Sequence, residues 1–240
     1  MMMAVLGLIL SGVASAASAE EVAAARPELA AHIRSLQPIK NRAGKYFFPG
    51  DALVEPEAQV LIADRLLEGR DDLAVRVALA YALTGDNRLP WRVIQAQEAP
   101  VRAALLAGYK RKGTADAVEA LAGGLSDEAQ EVRFEALRLL GRRPELTSPA
   151  LTAGLMASLK DPSADLRSAA VRALSWRKAS GSFDAIVPSL RDADAKVRGA
   201  AVRALGILDT QRAHGLEALM ALRDDPNPHV QRAFRSLRAD

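Results

Sequence analysis

Three arginines and one phenylalanine have the types and the spacing that could bind a charged ligand. Arg138, Arg172 and Arg203 each come six residues after the first apolar residue of a repeated pattern, and Phe134 lies beside them. If the repeats stack, we expect the guanidinium groups to form a row about 10 Å apart. Guanidinium groups bind carboxylates and phosphates through paired hydrogen bonds. We therefore predict that these residues bind an acidic segment of another protein; a solvated arginine face supported by nearby Glu and Asp is the alternative.

Residues that bind transition metals or act as nucleophiles are sparse. The chain has no Cys, and each of its three His is followed by a residue other than Glu, in the pairs His32-Ile33, His214-Gly215 and His229-Val230. Zinc and iron sites need clusters of such ligands. A phosphate-binding loop and a Gly-x-Ser-x-Gly motif are also missing. We expect no catalytic residue, no metal and no cofactor.

Asp and Arg also recur six residues apart at matching positions of three consecutive units. The pairs are Asp127 and Arg133, Asp161 and Arg167, and Asp192 and Arg198. Each Asp belongs to a Leu-x-Asp turn, where its carboxylate accepts backbone N–H groups at the start of the next helix. The Arg can reach the turn Asp of its own or the adjacent repeat. We predict a ladder of structural ion pairs that fixes the register of the repeats.

A repeat of about 31 residues must position these groups. Spacings between successive Val-Arg-like pairs, from Val75-Arg76 to Val230-Gln231, are 26, 31, 34, 31 and 33 residues. Apolar residues from Val197 to Leu208 recur at i, i+3, i+4, i+7, i+8 and i+11, which is one face of a helix. One helical hairpin per repeat fits this period.

The hairpins predicted from this period run along most of the chain. They pair residues 57–68 with 72–84, 114–125 with 128–141, 148–160 with 163–175, 182–191 with 194–208, and 213–223 with 227–238. A further helix is predicted over residues 99–110, after a shorter piece near Trp91.

The combination of Leu-x-Asp, Val-Arg and Ala-Ala-x-x-Ala-Leu resembles the short HEAT-like repeats first named from phycobilin lyases. The resemblance covers residues 57–240 and is strongest from Leu125 to Asp224. It implies an all-α fold, a right-handed α-solenoid of about six HEAT-type helical hairpins. Glu135 departs from the pattern by replacing an Ala, and Gln231 replaces the Arg of the last unit, where a polar outer face suits a capping repeat.

Composition bears on the choice of partner. The net charge is +3, from 32 basic and 29 acidic residues, so the chain has a small excess of base and is not polybasic. The two Trp, Trp91 and Trp176, occupy different repeat positions. A nucleic-acid channel needs a basic groove with regularly placed aromatic residues. We therefore expect a protein partner and no nucleic acid.

The first residues indicate export. Residues 4–19 are apolar or small and carry no charge, and they end in Ala17-Ser18-Ala19, which is typical of a cleaved signal peptide at residues 1–19. The segment is shorter than a membrane span requires, so no span is expected after cleavage. Residues 20–56 are predicted to form one helix from Glu21 to Leu36 and a loop, with Tyr46-Phe47-Phe48, that caps the first hairpin; a loop that docks a partner is the alternative.

These features predict a non-catalytic protein–protein interaction scaffold. It would be exported from a bacterial cytoplasm, be periplasmic or secreted, and bind its partner on the concave face of the solenoid. The alternative is an accessory enzyme on the same repeats, like a phycobilin lyase or deoxyhypusine hydroxylase. The second enzyme needs paired His-Glu dipeptides, which this chain lacks.

Overall fold

The computed structural model describes residues 17–42, 44, 46–48, 53, 55–83, 91–109 and 115–237. The chain divides into two compact units, an N-terminal unit, Met1–Ala120, and a C-terminal unit, Leu121–Asp240. The described residues are mostly helical. The prediction of an all-α fold built from helical hairpins is therefore confirmed.

The N-terminal unit begins with two short helices, α1 (Ala19–Ala25) and α2 (Pro27–Ser35), both packed on α3 (Pro56–Glu68). The prediction of one helix from Glu21 to Leu36 is wrong. Arg26, between α1 and α2, has φ −132° and ψ 66°. Pro27 disfavours the helical conformation of the residue before it, and it lacks the N–H that a continuing helix would need.

A short ribbon follows α2. Strands β1 (Ile39–Lys40) and β2 (Tyr46–Phe47) are antiparallel, and β2 packs against α4 (Leu73–Ala82). Phe48 and Leu53 are buried, whereas Phe47 is exposed. These contacts place Tyr46 and Phe47 beside α4. Most of the predicted capping loop after Phe48 lies outside the described residues. Helices α5 (Trp91–Ile94) and α6 (Ala99–Gly108) complete the N-terminal unit, and α6 packs on α4.

The chain passes into the C-terminal unit within α7 (Ala115–Leu125). The unit continues with α8 (Gln130–Gly141), α9 (Pro149–Ser158), α10 (Ala164–Arg177), α11 (Ser182–Ile186), α12 (Ala195–Leu208), α13 (Thr210–His214), α14 (Glu217–Met220) and α15 (Pro228–Arg235). The second helices of the hairpins, α8, α10, α12 and α15, pack side by side in that order. The unit is therefore a solenoid of stacked hairpins.

The stripe predicted on the second helices forms its core. Val197, Ala200, Ala201, Ala204 and Leu205 are all buried in α12. Small Ala side chains at fixed positions let neighbouring helices approach closely, and Val and Leu fill the layer between them.

The first helices of the last two hairpins are less regular than predicted. Residues 182–191 form α11 and then a 3-10 helix, Val187–Arg191. Pro188 has no N–H to donate to the preceding turn, so the α-helix tightens there.

Residues 213–223 were predicted as a single helix. Instead Asp209 caps α13, the chain turns at Gly215, and α14 leads into a 3-10 helix, Ala221–Asp224.

Residues 1–16 of the predicted signal peptide lie outside the described residues. Of the remaining three, Ser18 caps α1: its hydroxyl accepts the Glu21 N–H while the Glu21 carboxylate accepts the Ser18 N–H. Ala19 is the first residue of α1 and is buried. Cleavage after Ala19 would remove this capping box.

Candidate partner-binding groove

Arginines on the second helices divide into a paired set and an unpaired set. In the paired set, Arg133 Nε lies 2.7 Å from Asp161 Oδ2, and Arg167 Nε lies 2.7 Å from Asp192 Oδ2. Arg198 Nε lies 2.8 Å from Asp225 Oδ2. A second guanidinium nitrogen bonds the other carboxylate oxygen in each pair. Every pair joins one repeat to the next, which is the adjacent-repeat form of the expected ladder.

Each ladder arginine also binds the turn that precedes its own helix. Arg133 Nη1 donates to the Asp127 carbonyl at 2.9 Å, and Arg167 and Arg198 make the same bond to the carbonyls of Asp161 and Asp192. A single guanidinium therefore links two successive turns. Asp127 contributes its carbonyl to the ladder, and its carboxylate accepts the N–H of Ala129.

The ladder continues to a residue that the sequence pattern missed. The last Leu-x-Asp motif points to Asp224, but Asp224 is exposed and Asp225 pairs with Arg198. Gln231 then donates to the Asp225 carbonyl at 2.9 Å, which is the turn bond of the missing Arg. The signal was present, since Asp225 lies six residues before Gln231, as each turn Asp lies before its Arg.

Ion pairing lowers the pKa of two ladder acids, Asp192 and Asp225. The hydrogen bond from Arg167 holds the pKa of the Asp192 carboxyl below its ordinary value, and the bond from Arg198 does the same to the pKa of Asp225. Burial opposes both shifts without overcoming them. These carboxylates stay ionised at neutral pH and serve the fold.

The unpaired set faces a groove of about 770 Å³ on the second helices of the C-terminal unit. Arg172, Arg203 and Arg232 line this groove. All three are exposed, and none makes a side-chain hydrogen bond or ion pair with any residue that the structure describes. Lys196 also lines the groove, but its Nζ lies 3.0 Å from Asp165 Oδ1 in an exposed ion pair. Three guanidinium groups are therefore available to an anion.

One repeat position explains why a groove forms here. The residue two places after the first core residue of each second helix is Phe134 in α8, Ser168 in α10, Gly199 in α12 and Arg232 in α15. The middle two are small and buried, and the outer two are large. Ser168 and Gly199 therefore form the floor of the groove, and Phe134 and Arg232 form its two ends.

The predicted row of Arg138, Arg172 and Arg203 changes in one member. Arg138 does not line the groove, and its Nε donates to Glu135 Oε2 at 2.7 Å within the same helix. Phe134, Arg172 and Arg203 do line it, as does Arg232, which sequence reasoning missed. Arg232 was overlooked because it occupies the position of Phe134 and not that of the other arginines. The Arg138–Glu135 pair was visible as an i, i+3 spacing of opposite charges.

The described residues contain no group of three or more His, Cys, Asp and Glu side chains placed to hold a metal ion. His229 lines the groove, whereas His32 lies in the N-terminal unit and His214 ends α13. Among the helices of the described ranges, none has the length and hydropathy that a membrane span requires.

A family of known repeat proteins matches most of the helical hairpins. The family described as HEAT repeats matches residues 87–175 and 152–238, which together make up more than half of the chain. No curated protein matches. The solved structures that resemble the chain include human deoxyhypusine hydroxylase in complex with glycerol, at 17% identity and a TM-score of 0.41 over 75% of this chain and 72% of that one. An engineered protein matches at 19% identity and a TM-score of 0.44, over 98% of this chain and 93% of that one.

Both structural likenesses are distant, and the family match does not depend on them. The matched residues include all of α8 to α15, with the ladder and the groove. The chain therefore belongs to the HEAT-repeat family.

Proposed function

We propose that the C-terminal unit is a non-catalytic binding module that holds an acidic segment of another protein in the groove between Phe134 and Arg232. The proposal rests on one observation above all: Arg172, Arg203 and Arg232 face one groove without a partner among the described residues, although the ladder arginines of α8, α10 and α12 are all paired. Unpaired guanidinium groups at a small-residue floor favour a carboxylate-rich ligand that approaches closely.

The groove presents its charge on exposed side chains, because Arg172, Arg203 and Arg232 are all exposed. Small-molecule sites bury most of their ligand, whereas exposed arginines on three successive helices suit a ligand that extends across them. A peptide that lies across α10, α12 and α15 would reach all three arginines and place its backbone over Ser168 and Gly199.

A binding titration tests the proposal. A fluorescently labelled, glutamate-rich peptide would be titrated with the wild-type chain and with the groove variant Arg172→Gln, Arg203→Gln and Arg232→Gln. We expect the groove variant to bind at least about tenfold more weakly, since three charge-assisted contacts are lost.

The matched control removes three charges from exposed sites outside the groove, with Arg142→Gln, Lys160→Gln and Arg191→Gln. We expect it to keep most of the affinity and both variants to keep the wild-type melting temperature. Equal weakening of peptide binding in the two variants would mean that net charge alone attracts the peptide. This result would contradict binding in the groove.

We further propose that the chain acts after export, in a periplasmic or extracellular compartment. The support is the uncharged, apolar stretch of residues 4–19, which ends in small residues. N-terminal sequencing of the protein from an exported fraction is expected to begin at Glu20. Recovery of intact Met1 from the cytoplasm would contradict export.

A further inference from the structure

Two large apolar side chains stand exposed one helical turn beyond the groove arginines. Trp176 in α10 is 53% exposed and Ile207 in α12 is 50% exposed. Trp176 follows Arg172 by four residues, and Ile207 follows Arg203 by four residues. Residues at i and i+4 lie on the same helix face. Each helix therefore presents an arginine and then an apolar side chain on one exposed face.

The two apolar residues are also in register between repeats. Trp176 and Ile207 each come ten residues after the first core residue of their helix, Leu166 and Val197. Because α10 and α12 pack side by side, equal repeat positions lie at the same height on the unit. Trp176 and Ile207 thus form an apolar strip parallel to the Arg172 and Arg203 pair.

One face of the Trp176 ring packs against α8. A side chain at Gly141, the last residue of α8, would bring its Cβ to 3.5 and 3.7 Å from two ring carbons of Trp176. The ring therefore rests on the bare backbone of α8, while about half of the residue faces solvent. A Trp held in this way, next to an unpaired Arg, has the composition typical of binding hot spots.

We infer that the segment bound in the groove is amphipathic: an acidic stretch that pairs with Arg172, Arg203 and Arg232, continued by large apolar residues that cover Trp176 and Ile207. This inference rests on the proposed function and adds the second half of the recognised segment. The charge of the groove selects the carboxylates, and the strip selects the apolar residues next to them. A protein segment fits this surface because a polypeptide can carry carboxylates and large apolar side chains next to each other along one chain.

The fluorescence of Trp176 can be used to measure binding of the apolar part of the segment. In a full-length Trp91→Phe background, Trp176 is the remaining Trp of the chain. Two synthetic peptides of equal charge would be titrated: one with Glu, Ser and Gly only, and one in which the same acidic stretch is followed by Leu and Phe. We expect the second peptide to bind about tenfold more tightly and to shift Trp176 emission to the blue as the indole leaves water.

Single-residue variants test whether the apolar strip causes the difference in affinity between the two peptides. Trp176→Ser and Ile207→Ser are each expected to reduce the preference for the apolar-tailed peptide without changing the affinity for the acidic one. Binding to Trp176→Ser is measured with a labelled peptide, because this variant lacks the fluorescent Trp176. Leu73→Ser, which removes a comparably exposed apolar residue from the N-terminal unit, is the control and should leave both affinities unchanged.

The possible results separate the two proposals. Equal affinity for both peptides, or an unchanged emission maximum, would overturn the amphipathic segment and leave the acidic groove intact. Failure of both peptides to bind would overturn the proposed function as well. An oligothymidine that bound more tightly than either peptide and quenched Trp176 would overturn the inference in favour of nucleic acid, since indole and guanidinium groups also stack on bases.

Discussion

At the scale of single residues, the main distinction is between arginines that serve the fold and those left for a ligand. The ladder residues Arg133, Arg167 and Arg198 could be predicted from their six-residue spacing to a turn Asp, because a repeat places equal residues at equal positions. The available arginines could not be fully predicted. Availability depends on what surrounds a side chain, and Arg138 is paired by Glu135, one turn earlier in α8.

Replacing a ladder arginine and a groove arginine should affect stability differently. Arg167→Ala leaves the Asp192 carboxylate, 12% exposed, without its charged partner and removes the bond to the Asp161 carbonyl. We expect a loss of about 2 kcal/mol in the free energy of unfolding. Arg172→Ala should change it by less than about 0.5 kcal/mol. Urea denaturation of both variants measures the difference, and similar losses would contradict the division of the arginines.

The ladder also predicts how stability depends on pH. The folded-state pKa values of Asp192 and Asp225 lie below the ordinary value of 3.8, so both groups contribute stability that is present above that value. This contribution is lost as the pH falls from about 4 through the folded-state values. Melting temperatures measured between neutral pH and about pH 3 should fall less steeply for Asp192→Asn with Asp225→Asn than for the wild type. Parallel curves would show that other carboxyls govern the acid transition.

At the scale of elements, the period predicted the second helices well and the first helices less well. The second helices α8, α10, α12 and α15 carry the apolar stripe, and packing against neighbouring helices holds them regular. The breaks at Pro27 and Pro188 follow from local chemistry, because a proline has no N–H to donate. The third break, at Gly215, lies at the end of α13, where the backbone has φ −73° and ψ −7°. The spacing of apolar residues does not by itself reveal such breaks in a helix.

Close helix packing can be tested with two glycines. A Cβ at Gly108, the last residue of α6, would lie 2.8 Å from the Leu83 carbonyl oxygen, a backbone atom that cannot move aside cheaply. We expect Gly108→Ala to lower the free energy of unfolding by at least about 1 kcal/mol. At Gly199 in α12 the nearest atoms are 3.8 and 3.9 Å away, so Gly199→Ala should raise it by about 0.5–1 kcal/mol through helix propensity. Thermal unfolding of both variants shows whether each substitution stabilises or destabilises the protein. A stabilising effect of Gly108→Ala would contradict the close approach of α6 to Leu83.

At the scale of the whole molecule, the chain is a HEAT-repeat protein with two compact units, and the candidate groove belongs to the C-terminal unit. The family match and the all-α class were predictable, because both depend on a pattern that recurs along the chain. The division between Ala120 and Leu121 was not predicted, since the apolar pattern continues through α7. The groove was also hidden from the sequence, because its floor depends on two small residues, Ser168 and Gly199, that neighbour each other only after the repeats stack.

Hydrogen–deuterium exchange of the full chain with and without a glutamate-rich peptide tests the central claim most directly. If the segment lies in the groove, backbone protection should appear in α10, α12 and α15, which carry Arg172, Arg203 and Arg232. The first helices α9, α11 and α13 should exchange as they do in the free chain. Protection confined to those first helices or to the N-terminal unit, with the three groove helices unchanged, would contradict the account.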